Sequence, residues 1–240
     1  MDISGLIEKM TTQNAYVVNE VVTQNTYHVL ADDVRAKLVV DIGANIGVFA
    51  ALCLQHDAVR VIAVEANANN FTLLRQNFAE LLDKVTPLHA AVTDVPGAVV
   101  RISDESSTSK VGKGPLHVVT TTLDNLVGVY DIPLHSVLKI DCEGGEYAIL
   151  DSVPDSAMQV FDTVFLEVHG GIEGGPVRYN NLFAHRRMEQ LGFCLWSRVP
   201  LYWYQYDGGG TLISSTELDI VIEKWARRED IVHPLEKVIP

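Results

Sequence analysis

Residues Leu38–Gly47 read LVVDIGANIG, an apolar run that closes on Asp41, followed by two glycines four positions apart and then a further apolar stretch. A strand running into a glycine-bent turn and a helix gathers backbone N–H groups around one point, where a nucleotide-like ligand can rest on bare main chain. The glycine spacing restricts which ligand. Dinucleotide-binding turns want G-x-G-x-x-G, with the helix dipole aimed at a pyrophosphate, whereas Gly43-Ala44-Asn45-Ile46-Gly47 is G-x-x-x-G. Asp41 ahead of the turn would repel a diphosphate and attract a cation, such as the ammonium or sulfonium of S-adenosylmethionine.

Outward from this turn, strand-like and helix-like segments alternate, the pattern of a parallel sheet covered on both faces. A first strand over Lys37–Ile42 is followed by a helix over Ile46–His56, and a second strand over Val59–Val64 ends at Glu65. Phe71, Leu74, Phe78 and Leu81 then recur at helical spacing, with Asn67 or Asn69 as N-cap. A third strand is expected over Leu88–Val92, and the Pro96-Gly97 turn leads into an extra hairpin strand. Ser103–Gly114, dense in Ser, Thr, Lys and Gly, reads as a loop. A helix over Leu123–Val129, a fourth strand over Ser136–Ile140, a helix over Tyr147–Val153 and a fifth strand over Val160–Val168 follow. A helix over Asn180–Gln190, with Leu182, Phe183 and Leu191 inward and Gly192 closing it, precedes strands at Phe193–Trp196 and Leu218–Glu223. Joined through Gly208–Gly210, these two form an antiparallel hairpin at one sheet edge.

At 240 residues, with 48% hydrophobic and 20% charged residues, the chain fits one globular α/β domain. We expect a single domain over 1–240: an N-terminal extension over 1–36 packing on the core, a cofactor-binding and catalytic core over 37–223, and a tail over 224–240. The net charge of −13 carries no Lys/Arg cluster to offset it, which disfavours nucleic acid and anionic membrane as partners. Cys53, Cys142 and Cys194 lie far apart in apolar stretches, without zinc spacing, and read as reduced, buried thiols. The N-terminus lacks a signal-peptide pattern and no stretch approaches 18 apolar residues, so a cytoplasmic chain is expected.

In an open α/β sheet, ligands bind beyond the carboxyl ends of the strands. Asp41, Glu65, Thr93-Asp94, Asp141 with Glu143, and Glu167 with His169 fall at five successive strand ends. Any one alone reads equally as a helix cap or a surface charge; together they define a rim. Glu65 lies 24 positions after Asp41, where a carboxylate can accept both ribose hydroxyls of an adenosine. Ala66 beside it, and Ala91 and Val92 at the third strand end, suit the base, or are simply strand core.

Together, LVVDIGANIGVFAAL, VIAVEAN, LKIDCEGGEYAIL after TTLDNL, and VFLEVHG resemble the FkbM family of S-adenosylmethionine-dependent methyltransferases over about Val17–Glu223. The resemblance implies a Rossmann-like class I methyltransferase: a doubly wound, mostly parallel seven-stranded sheet with an antiparallel strand near one edge. It further implies that Asp41, Gly43, Ala44, Asn45 and Gly47 surround the methionine part of the cofactor, that Glu65 holds the ribose, and that Asp141 faces cofactor and substrate. The implied reaction is O-methylation of a small molecule, a sugar or natural-product hydroxyl. Cys142 and Gly145 depart from the family's commoner pattern and leave the carboxylates in place.

Methyl transfer is an in-line displacement, so alignment dominates and a base is needed only if the hydroxyl must lose its proton. Asp141, Glu143 and His169 are the candidates for that role, although a lone strand-end His is as often structural. Asp141, Glu143, Glu167 and His169 also suit a divalent cation by ligand type, but sequence order cannot show convergence, and no metal ligand is assigned. The aromatic run Tyr202–Tyr206 reads as an edge strand packed on a helix or on a second subunit of a homodimer, or as a wall for the acceptor. Two rivals remain: a nucleotide- or NAD-dependent oxidoreductase, against which the missing G-x-G-x-x-G argues, and a catalytically silent cofactor-binding scaffold.

Overall fold

The computed structural model describes residues 2–103, 114–170, 180–206 and 212–227. The expected loop over Ser103–Gly114 lies almost wholly outside the described residues, as do the Gly208–Gly210 connection, the tail beyond Arg227 and the side chains of the Tyr202–Tyr206 run. The chain opens with helices α1 (Ile3–Gln13) and α2 (Ala15–Val18), a π-helical turn over Asn19–Thr23, and α3 (Ala31–Val34). Then follow β1 (Leu38–Ile42), α4 (Val48–Gln55), β2 (Arg60–Glu65), α5 (Ala68–Asn77), β3 (Val85–His89), β4 (Ala91–Val92), β5 (Val99–Ile102) and β6 (Leu116–Thr121). The remainder is α6 (Leu123–Val129), β7 (Ser136–Ile140), α7 (Glu146–Ser152), α8 (Asp155–Met158), β8 (Phe161–His169), α9 (Asn181–Gln190), β9 (Phe193–Tyr206) and β10 (Leu212–Arg227).

Seven strands form one sheet in the order β3-β2-β1-β7-β8-β10-β9, and β10 runs antiparallel to both its neighbours. This is the doubly wound, mostly parallel sheet that the alternating pattern implies, with the hairpin at one edge. Alternation along each strand divides the core between the two faces. Val39, Val61, Val137 and Phe165 pack with α1 and α4 on one side, while Val40, Ile62, Leu138 and Leu166 pack with α6, α7 and α9 on the other. Because both faces are covered, the inner strands β1 and β7 are buried along their whole length, and any charge on them must find a partner inside. Leu6 and Met10 of α1 are fully buried against the first of these faces.

Several boundaries differ from the sequence reading. The segment read as one strand over Leu88–Val92 is split at Ala90: β3 starts at Val85 and pairs with β2, whereas Ala91 and Val92 pair with β6 in a separate three-stranded sheet, β4-β6-β5. Pro87 sits within β3, which is acceptable because β3 is an edge strand and needs hydrogen bonds on one side only. Asn67, not Asn69, caps α5, accepting from the N–H groups of Asn69 and Asn70. In α9 Ala184 and Met188, one helical turn apart, are fully buried, Leu191 and Phe183 pack on the same core as expected, and Leu182 is 55% exposed. Cys53 is buried, but Cys142 and Cys194 are only half-buried; all three are free thiols. Among the described residues no helix is long and apolar enough to cross a membrane.

Candidate active site

The strand order reverses between β1 and β7, and the cleft opens there. Gly43, with φ +77°, turns the chain out of β1 directly over the end of β7, where Asp141 N–H donates to the carbonyl of Ile42 at 3.1 Å. The N–H groups of Gly43 and Ala44 both donate to the carbonyl of Val64, fixing the turn to β2. Asn45 takes a left-handed conformation, φ 53°, and its own carboxamide oxygen accepts from Ile46 N–H at 2.8 Å. Gly47 caps α4 and sits against Phe78 and Leu74, so its part is to seat the helix.

Glu65 closes the first cleft. Its Oε2 accepts from Asn45 N–H at 2.8 Å and its Oε1 from Asn67 N–H at 2.7 Å. Burial pushes its carboxyl upward, and the two backbone donors oppose that shift. Each oxygen retains a lone pair for a ligand. Ala66, Ala91 and Val92 supply apolar wall to the same cleft, whose rim at Gly43, Asn45, Asp141 and Glu143 is shared with a second cavity of about 470 Å³.

That second cavity has an ionic floor that the strand-end reading did not anticipate. Lys139, 3% exposed, stands directly opposite Asp41 in the β1–β7 register. Its Nζ donates to the Gly43 carbonyl at 2.9 Å and lies 3.3 Å from Asp41 Oδ1 and 3.1 Å from Asp141 Oδ2. Asp41 is fully buried and, among the described residues, neither of its carboxylate oxygens has an aligned hydrogen-bond donor. The cation that Asp41 attracts is therefore Lys139 beneath the turn, and not a ligand in the cleft. Burial opposes the charge on Lys139, but the two aspartates outweigh it and raise its pKa above the usual lysine value.

From the N-terminal segment, Tyr27 reaches the same floor. Its Oη lies 2.7 Å from Glu167 Oε2 and 3.0 Å from Asp141 Oδ2. One phenolic proton cannot serve two carboxylates, so the second bond needs a proton on one carboxyl. Glu167 carries it: burial and the charge of Asp141 push its pKa up to about 8. Asp141 stays ionised, because Lys139, His169 and Tyr27 together outweigh its burial and hold its pKa below the usual value. Tyr16, Val17, Glu20 and Val21 form a further wall of the cavity.

His169 ends β8 with its ring buried. Glu146 Oε1 accepts from His169 N–H at 2.8 Å and lies 3.2 Å from Nδ1, while Nε2 faces Glu143 Oε2 at 3.4 Å and Glu167 Oε1 at 3.6 Å. Burial would lower its pKa, but Glu146 and then Glu167 and Asp141 raise it to about 10. In the metal-free chain the ring is an imidazolium at neutral pH and has no lone pair to take a proton. The general-base role expected of it from sequence is not available in that state.

These shifts fix the sign of a stability profile. A group whose folded pKa exceeds its unfolded value stabilises fully below the unfolded pKa and loses that contribution as pH rises through the folded one. Glu167 spans 4.5 to about 8, Glu20 4.5 to about 7, and His169 6.5 to about 10. The urea midpoint of EDTA-treated protein is therefore expected to fall steadily from pH 6 to pH 10, with Glu167→Gln flattening the part below pH 8. A wild-type midpoint that holds level or rises over that range refutes this electrostatic assignment.

Of the residues singled out from sequence, Gly43, Asn45, Glu65, Ala66, Ala91, Val92, Asp141 and Glu143 line the first cleft, and Ala44 and His169 the second cavity. Asp41 and Gly47 lie beneath the turn, because a fully buried carboxylate and a glycine packed on Phe78 have no face toward either cavity. Lys139, Tyr27, Glu146 and Glu20 were missed. Only Lys139 carried a sequence signal, a lysine between apolar residues of an inner strand.

The model of the methyltransferase FkbM domain matches residues 41–195, more than half of the chain. The hexuronic acid methyltransferase AglP of Haloferax volcanii is 31% identical over 140 residues, covering 55% of this chain and 56% of that protein, so the match spans about half the length of that relative. Among solved structures, the precorrin-6y C5,15-methyltransferase of Geobacter metallireducens superposes with a TM-score of 0.49 at 15% identity, over 87% of this chain and 86% of that one. The M. capricolum TrmK, in complex with S-adenosyl-homocysteine, does so with a TM-score of 0.48 at 12% identity, over 90% and 73%. With the family's domain matched from Asp41 through β8 and into β9, this chain belongs to the FkbM methyltransferase family.

Proposed function

We propose that this chain transfers the methyl group of S-adenosylmethionine to a hydroxyl oxygen of a small, sugar-type molecule. The observation that carries the reading is the pair of cavities meeting at Gly43, Asn45, Asp141 and Glu143: one lined by the Glu65 carboxylate beside the apolar Ala66, Ala91 and Val92, the other large enough for a monosaccharide-sized acceptor. Glu65 would hold the ribose, Ala66, Ala91 and Val92 the adenine, and Gly43, Asn45 and Asp141 the amino-acid end. When bound, the cofactor supplies an electrophilic methyl group on a sulfonium centre. The residues then have to orient the acceptor and exclude water. Asp141, ionised and at the junction, accepts a hydrogen bond from the acceptor hydroxyl; Glu143 stands beside it; Tyr16, Val17 and Val21 shield the cavity. The name of the Haloferax relative supports a sugar acceptor.

Calorimetric titration separates this reading from the nicotinamide rival. S-adenosylhomocysteine is expected to bind more tightly than NAD. Glu65→Gln removes the charge from the ribose hydrogen bonds, each worth about 1.5 to 3 kcal/mol, and is expected to weaken S-adenosylhomocysteine at least ~10-fold. Preference for NAD, or an unchanged dissociation constant in folded Glu65→Gln, overturns the assignment.

A further inference from the structure

We propose that Asp141, Glu167 and His169 form a divalent-cation site in the floor of the 470 Å³ cavity, where the cation takes the acceptor's hydroxyl oxygens into its open positions. The function of the ion rests on the methyl-transfer reading above; its binding does not.

Three observations converge. First, one ligand atom from each of the three residues lies within 4.8 Å of those from the other two, a spacing that a single ion can span. Second, His169 Nε2 is buried and, among the described residues, has no hydrogen-bond partner, although the residue is only 8% exposed and lines the cavity. Its polar neighbours there, Glu143 Oε2 at 3.4 Å and Glu167 Oε1 at 3.6 Å, make no hydrogen bond to it, and a buried imidazole nitrogen without one costs free energy unless something fills the position it faces.

Third, the surroundings hold these ligands as a metal site's outer groups do. Glu146, itself fully buried, is tied by Gly144 N–H to its Oε2 and by His169 N–H to its Oε1, and it faces His169 Nδ1. A carboxylate on Nδ1 fixes the tautomer that leaves Nε2 free to ligate. Tyr27 engages Oδ2 of Asp141 and Oε2 of Glu167, holding both carboxyl groups side by side and leaving one oxygen of each for an ion. Lys139 approaches Asp141 on that same Oδ2. Entry of the ion displaces the protons that the site otherwise carries, which leave to solvent.

Two carboxylate oxygens and one imidazole suit a hard or borderline ion such as Mn²⁺ or Mg²⁺, which keep further positions for water or for hydroxyls. An ion there would lower the proton affinity of a coordinated hydroxyl, whose proton leaves to solvent as the oxygen takes the methyl group.

Mn²⁺ is the probe. EDTA-treated, desalted full chain, without cofactor, is titrated with Mn²⁺ while the free-ion EPR signal is followed. Saturable binding of one Mn²⁺ per chain is expected, weakened at least ~10-fold in His169→Gln and in Glu167→Gln. Either variant suffices if the other fails to fold, and Glu146→Gln should lower affinity through the ring it positions. Absence of saturable binding to folded wild type, or equal affinity in a folded ligand variant, overturns the site. S-adenosylhomocysteine binding, measured in parallel, keeps the two readings apart: cofactor without Mn²⁺ refutes the ion alone, and Mn²⁺ without cofactor refutes methyl transfer alone.

Discussion

Lys139→Met is expected to cost about 3 to 5 kcal/mol of stability, the range for breaking a buried ion pair from one side. Lys139 is the cation between Asp41 and Asp141, and Asp41 is fully buried. Asp41 has no aligned donor to replace it, because neither carboxylate oxygen has a hydrogen-bond partner among the described residues. For a chain of this size each kcal/mol lowers Tm by roughly 2 to 4 °C, so a shift of roughly 6 to 20 °C follows. Asp141 suffers less, since its side chain is 26% exposed and it keeps the bond from Tyr27. Hence the informative partner is Asp41→Asn: combined with Lys139→Met it removes the stranded charge and should recover more than half of the loss. A single variant within about 1 kcal/mol of wild type in urea denaturation would show that water reaches Asp41 and that the pair is not buried in solution.

The same residues show what the sequence discloses and where it stops. Strand ends are local events, written as apolar runs closing on polar residues, so Glu65, Asp141, Glu167 and His169 were legible along with the parallel sheet that aligns them. Depth below the turn was not: Asp41 and Glu65 look alike in sequence, yet one lies under the glycine turn and the other beside it. The difference is set by the β1–β7 register, which puts Asp41 opposite Lys139. Tyr27 is less accessible still. It reaches Asp141 and Glu167, 114 and 140 residues away, from a segment whose own pattern says only helix and turn. The third strand went astray because Leu88–Val92 reads LHAAV with no turn residue to interrupt it, and periodicity cannot show that the chain changes sheets at Ala90.

Gly43→Ala is expected to remove cofactor binding and several kcal/mol of stability together. An added Cβ would lie 1.6 Å from the Asp141 carbonyl oxygen and 2.8 Å from its carbon, both main-chain atoms of the adjoining strand end that no rotamer change can move. Relief requires β1 and β7 to part where Asp141 N–H bonds to Ile42, at the junction shared by both cavities. Overpacking of this kind costs about 1 to 3 kcal/mol or more, and the left-handed conformation adds about 1 to 2 kcal/mol for any residue with a Cβ. Gly97 separates these contributions: its φ is +74°, nearly that of Gly43, yet nothing lies within 4 Å of its added Cβ. Gly97→Ala should therefore pay only the conformational part and bind S-adenosylhomocysteine as wild type does, whereas Gly43→Ala should lose binding even where enough folded protein survives to measure it. Equal stability losses in the two variants, with binding intact in both, would mean that the turn yields around a methyl group and that glycine is needed at position 43 for its backbone angle alone.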